Sequence, residues 1–280
     1  MNTLLEPFHY TFFNHGLVVA TLAGALCGML GVYITLKGMS YIGHGLSHAI
    51  FGGFAASAIT SVNYLLGAGV WGVVSALMIN GVARRRRIGS DAAIGVITTA
   101  SFALGVALLK HFGTHGKSFD AALFGSILGV SLADVWLLVG VTTLAAALIF
   151  LRYRALLFTT FDPEVADVSG VSVARLDAVL MVVLAASILV TLNVIGVTLV
   201  AATLVIPAVV ARMLTNSFNR MLALSTTVGA LAGFVGMNLS YHLDVPSGTM
   251  IVLTGAAMFT LVFAVTGPDG LRRTSSLASV

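Results

Sequence analysis

The chain has 280 residues, of which 58% are hydrophobic and only 9% charged, and its mean hydropathy is +1.04. That balance excludes an ordinary soluble domain, and apolar stretches near the ~20 residues needed to cross hydrocarbon recur throughout, so the class is a polytopic, all-α membrane protein; a β-barrel would alternate instead. The net charge of +4 implies no nucleic-acid partner, because basic excess in a membrane protein mainly records its cytoplasmic loops.

Residues 1–15 carry Glu6 and no Lys or Arg. They lack the basic start of a cleaved signal peptide, so the first span is expected to be retained behind a short extracellular segment, 1–14. Apolar windows broken at charge or turn clusters predict about nine transmembrane helices: 15–36, 41–60, 62–83, 91–111, 131–151, 176–192, 194–212, 221–242 and 247–266. The stretch from Phe119 to Val130 is too short to cross and is expected to be a re-entrant or interfacial helix. With the N-terminus outside, every Lys and Arg except Lys110 and Lys117 falls on the cytoplasmic side, so the positive-inside rule predicts N-out and C-in. No domain boundary or internal repeat is visible, and the polar stretch 267–280 is expected to be a mobile cytoplasmic tail. Cys27, the only cysteine, lies within the first span, which excludes an internal disulfide and a thiolate metal cluster.

Two histidines four residues apart, His44 and His48, begin the second span. Positions i and i+4 share one helical face, so both imidazoles can aim at one point, and polar side chains are costly in a bilayer. Their neighbours, among them Gly43, Gly45, Ser47, Gly52 and Gly53, are small enough to let other helices approach. The blander alternative is hydrogen bonding to adjacent helices. A zinc metalloprotease also uses this spacing but needs Glu directly after the first histidine, where Gly45 stands. A second polar cluster, Asn238, His242 and Asp244, ends the eighth span. Imidazole, carboxylate and amide oxygen together suit a divalent zinc, manganese or iron ion, while Pro246, Ser247 and Gly248 equally fit a polar extracellular turn.

In the longest cytoplasmic loop, Asp162 is a helix N-cap, Pro163 a first helical residue and Gly170 a terminator, which predicts a helix of about two turns. It is either a surface helix or a docking helix whose Phe161, Val165 and Val168 are apolar anchors among acidic residues. Gly116-Lys117-Ser118 resembles the end of a phosphate-binding loop, but the first glycine that such a loop needs is replaced by His111, so no ATPase site is expected in this chain.

The run Met39 to Gly43 leading into the histidine helix, Asp91-Ala92-Ala93-Ile94-Gly95, Leu123 to Leu128, Asp162-Pro163-Glu164 with Gly170, and Pro246-Ser247-Gly248 together resemble the membrane subunit of ABC-type zinc and manganese importers. The resemblance extends from about residue 15 to 266. It implies a single permease domain over 1–280 that forms the ion pathway by alternating access in a prokaryotic plasma membrane. It also implies a second permease copy, two cytoplasmic ATPase subunits and an extracellular metal-binding protein. No permanently bound cofactor is expected, only the transported Mn2+, Zn2+ or Fe2+. The coupling helix to the ATPase would hold Phe161, Asp162, Pro163, Glu164, Val168 and Gly170, and the metal ligands would be His44, His48, Asn238, His242 and Asp244, the first four converging. His48 matches the family histidine, whereas His44 stands where members usually carry aspartate. The alternatives are an ion-coupled secondary transporter acting without an ATPase, which the few acidic residues inside the spans disfavour, and an intramembrane enzyme, which Gly45 disfavours.

Overall fold

In bilayer hydrocarbon a backbone must satisfy its own hydrogen bonds, and the chain answers with helices. The computed structural model describes residues 6–60, 63–83, 89–112, 130–197 and 199–275, and no strand occurs among them. A short 3-10 turn, Glu6–His9, precedes α1 (Thr11–Leu36), α2 (Ile42–Thr60), α3 (Tyr64–Ala83), α4 (Ser90–Phe112) and α5 (Leu132–Leu151). Then come α6 (Tyr153–Phe161), α7 (Pro163–Val168), α8 (Val173–Ile195), α9 (Val200–Leu214), α10 (Phe218–Leu243) and α11 (Ser247–Ser275). The four consecutive arginines from Arg84, the Gly116-Lys117-Ser118 run and the stretch Phe119 to Gly129 lie outside the described residues.

Nine of the described helices coincide with the nine expected spans. Seven are long and apolar enough to cross a membrane by themselves; α9 is shorter, and α2 falls outside that set because two histidines and a series of small residues dilute its apolar character. Two boundaries differ from expectation. The seventh helix starts at Val200 and not near 194, because α8 runs on to Ile195 and stops at Gly196, whose φ of +85° few other residues tolerate; Asn193 therefore belongs to α8. The last helix continues past Thr266 to Ser275, into the stretch expected to be tail.

Lipid is as apolar as leucine, so close backbone contact between helices, not the hydrophobic effect, must hold the bundle. The central helix, α1, shows how. A Cβ on Gly24 would strike the Gly229 carbonyl of α10, one on Gly28 the Ser225 carbonyl, and one on Gly233 the Ala20 carbonyl. These pairs run antiparallel down the whole α1–α10 contact, and Ser225 Oγ donates to the Gly28 carbonyl at 2.6 Å. Phe13, Leu26, Leu30 and Tyr33 on α1 are fully buried around this seam. Next to it stands a second group in which α2 packs between α3 and α4, and α9 touches both groups. Ser247 ties the last helix to the eighth: its buried hydroxyl donates to the Val194 carbonyl at 2.7 Å, fixing the start of α11 on the end of α8.

Candidate functional site

Gly43 and Gly45 orient the start of α2. A Cβ at Gly45 would come within 2.6 Å of Ile94 Cγ2 and 2.8 Å of Thr98 Cγ2 on α4, and one at Gly43 within 2.7 Å of Leu204 Cδ1 on α9. Both glycines are thus pressed against neighbouring helices, and the residue between them is turned to the open side. His44 is exposed there, and His48, one turn on, is half-buried. Their ring centroids are 4.3 Å apart. His48 Nδ1 lies 3.0 Å from the His44 carbonyl oxygen. A carbonyl only accepts, so Nδ1 is the protonated nitrogen, which fixes the tautomer and leaves the Nε2 lone pair of the neutral ring available to a cation. The same geometry removes the protease reading, since position 45 has no room for a glutamate.

An open cavity of about 480 Å³ adjoins His44, lined by Ser40, Tyr41, Ala201, Ala202 and Val205. Its walls are the two helices, α2 and α9, that are least suited to face lipid by length or composition. Ser40 and Tyr41 stand in the turn just before α2 and line the same cavity as His44, so hydroxyl, phenol and imidazole face one space. Helical spacing does not reach residues of a turn, and only the fold brings them to the cavity.

The second cluster lies elsewhere. Asn238 donates through Nδ2 to the Phe234 carbonyl at 2.8 Å, His242 and Asp244 are exposed, and Asp244 caps α10 in a left-handed conformation with φ of +53°. Tyr10 stacks near Tyr241 at 6.3 Å, so this cluster sits at the Thr11 end of α1, whereas His44 follows the Leu36 end by eight residues. The expected convergence of His44, His48, Asn238 and His242 is not present. Helix α10 lies along α1, with α9 interposed between it and α2, and among the described residues no three of His, Cys, Asp and Glu are placed to hold one metal ion. The Cys27 thiol is buried and free.

Where α1 ends, Lys37 reaches across the bundle. Its Nζ lies 2.8 Å from Asp177 Oδ1 on α8 and donates to the Thr159 carbonyl of α6 at 3.2 Å. Four residues after Thr159 begins the predicted loop helix, realised as α7. The Asp162 side chain accepts from the Val165 N–H at 3.0 Å, Pro163 opens the helix, and Gly170 closes it at φ +84° with Val171 N–H donating to the Ala166 carbonyl. Ala166 is buried, anchoring the helix, while Phe161, Val165 and Val168 are exposed beside Asp162 and Glu164. The turn Gly38, with φ +69°, connects the lysine to the start of the histidine helix.

Residues 9–266 match the model of the ABC 3 transport family. The chain belongs to that family. It is 35% identical over 262 residues to a manganese transport system membrane protein, MntC, of Halalkalibacterium halodurans, covering 94% of this chain and 90% of that one. It is 32% identical over 261 residues to a probable iron transport system membrane protein of Haemophilus influenzae, covering 93% and 96%. Among solved structures it resembles PsaBC from Streptococcus pneumoniae in complex with Fab, with a TM-score of 0.82, 33% identity and coverage of 93% and 94%. A likeness of this extent means that fold and family are common to nearly all of the chain, and the chain is a multi-pass ABC transport membrane protein.

Proposed function

We propose that the chain is the permease of an ATP-driven importer of a divalent transition-metal ion. The observation that carries this reading is the His44/His48 pair: two imidazoles 4.3 Å apart, one with its tautomer fixed for ligation, the other on the wall of an open cavity of a membrane-spanning bundle. Two nitrogen ligands with room left for water or a neighbouring oxygen hold a cation without trapping it, as a transport step requires. Imidazole suits zinc, manganese and iron in different degrees, and the relatives' names divide between manganese and iron. Asn238, His242 and Asp244, at the other end of the bundle, form a separate station on the route. The excess of Lys and Arg on alternate loops supports an extracellular N-terminus in the plasma membrane. The α7 surface, with Phe161, Asp162, Pro163, Glu164 and Val168 ahead of Gly170, docks one of two ATPase subunits, each serving one copy of the permease in a dimer. An extracellular binding protein delivers the ion.

The deciding experiment reconstitutes the chain with and without its ATPase partner and follows uptake of Mn2+, Zn2+ and Fe2+ together with ATP hydrolysis. Metal uptake that requires both subunits and ATP is expected, and lost uptake with retained assembly for His48→Ala. Uptake by the permease alone, driven by a proton gradient, would establish a secondary transporter and overturn the proposal.

A further inference from the structure

Only Asp162 separates α6 from α7. Its N–H donates to the Phe158 carbonyl of α6 at 2.9 Å while its side chain caps α7, so the two helices form one corner and move together. That corner meets α10 through side chains that converge on Phe218, the first residue of α10. The Phe218 ring stands edge-on to Phe161 at a centroid distance of 6.1 Å and tilted against Tyr153 at 5.9 Å. It is also edge-on to the fully buried Tyr33 of α1 at 5.4 Å. The Tyr153 hydroxyl donates to the neighbouring Asn219 amide oxygen. Both ends of α6 therefore bear on the start of α10, and aromatic rings prefer such edge-on and offset arrangements, which gives Phe218 a defined seat.

Phe218 also packs on Val32, Ala208, Ala211 and Met221, and so touches α1 and α9 as well as its own helix. Residues 215–217 alone separate α9 from α10, and the Ser217 N–H donates to Thr215 Oγ1 at 3.2 Å within that short connection. Helix α9 carries Ala201, Ala202 and Val205 to the cavity that His44 lines, and α10 is locked onto α1 by the glycine contacts at 24, 28, 229 and 233. Close-packed side chains pass strain on to their neighbours, so a shift of the α6–α7 corner reaches the cavity wall by way of this one ring.

We propose that Phe218 is the positioning residue through which the α6–α7 corner moves α9, the wall of the cavity beside His44. The inference rests on the reading of the chain as an ATP-driven importer whose α7 docks the ATPase. Phe218 touches neither the cation nor the ATPase; it sets where α9 stands when the docking helix moves.

The test measures metal moved per ATP. Permease and ATPase partner are reconstituted in proteoliposomes, and uptake of Mn2+, Zn2+ and Fe2+ is followed together with phosphate release. Phe218→Leu and Phe218→Met remove the ring and keep apolar bulk, two variants so that one remains if the other does not assemble, and Phe218→Tyr keeps the ring. Phe13→Leu is the structural control, because Phe13 of α1 meets Tyr241 of α10 at 5.3 Å, edge-on, at the opposite end of the same helix pair. Both ring-free variants should co-purify with the ATPase and hydrolyse ATP, with metal per ATP reduced at least about fivefold, the lower end of energetic coupling between two sites. Phe218→Tyr should restore most of the ratio, and Phe13→Leu should lower the melting midpoint without changing it. A wild-type ratio in the ring-free variants, or an equal fall in Phe13→Leu, overturns the positioning role alone. Absence of ATP-driven uptake in the wild type overturns the importer reading, and the role of Phe218 with it.

Discussion

Replacing Lys37 with methionine keeps the length of the side chain and removes its charge. In the structure that charge sits 2.8 Å from Asp177 and donates to the Thr159 carbonyl, with the two ionic side chains only 9% and 18% exposed. At the effective dielectric of about 20 that suits such sites, the gross attraction of a pair at that distance is about 6 kcal/mol, much of it offset by the desolvation of both ions. Breaking a fully buried pair by removing one partner costs about 3–5 kcal/mol, because the remaining charge is left in a poor environment. Asp177 retains some contact with water, so Lys37→Met is expected to cost roughly 3 kcal/mol, the low end of that range.

The assay is thermal unfolding in nanodiscs at one fixed heating rate, since unfolding of such proteins is governed by rate as well as equilibrium. At about 2–4 °C per kcal/mol for a chain of this size, the midpoint should fall by roughly 6–12 °C. Asp177→Leu should fall by a similar amount, and the double variant should recover a large part of the loss, because neither charge is then stranded. The reasoning is refuted if the two single effects add within about 0.5 kcal/mol in the double variant, the behaviour of independent sites. A functional consequence accompanies the structural one. Lys37 joins α6 at Thr159, four residues before α7, to the turn that leads into the histidine helix, so the single variants should hydrolyse ATP with less metal moved per ATP.

Gly45→Ala would set a Cβ 2.6 Å from Ile94 Cγ2 and force α2 from α4; a loss of about 1–3 kcal/mol is expected, and an unchanged melting midpoint would show that the contact is loose. Asp162→Ala removes the acceptor for the Val165 N–H and should cost about 1 kcal/mol locally, read out as weaker co-purification of the ATPase with the global midpoint nearly constant. Val168→Asp, at a side chain 87% exposed, should release the ATPase without altering unfolding; retained ATP-driven uptake would remove α7 from the docking surface. His44→Asp adds a hard, charged oxygen to the imidazole pair and should move preference from Zn2+ towards Mn2+ in competition uptake; an unchanged ratio would take His44 out of selectivity.

The spans were legible because each is written locally, as about twenty apolar residues between charges, and α7 was legible because Asp162, Pro163 and Gly170 specify its start and its stop. The His44/His48 spacing likewise fixed a shared face, since angle around a helix follows from chain position alone. Which helices that face meets does not. Asn238 and His242 repeat the same spacing, yet glycines at 24, 28, 229 and 233 lay α10 along α1 and keep those residues away from the histidine pair. Phe218 was invisible for the same reason: as one phenylalanine among sixteen it has no motif, and only the packing of α10 on α1 and of α6 on both sets it beside Tyr33, Tyr153 and Phe161. The small residues around the histidines could be recognised from the sequence as permission for close approach, but each glycine pair becomes a register only when both partners are known. In a bilayer, where apolar burial discriminates little between helix faces, those pairings decide which side chains share a route. The selectivity of this permease is therefore expected to respond to glycine substitutions in the α2–α4 seam as well as to substitutions of the histidines themselves.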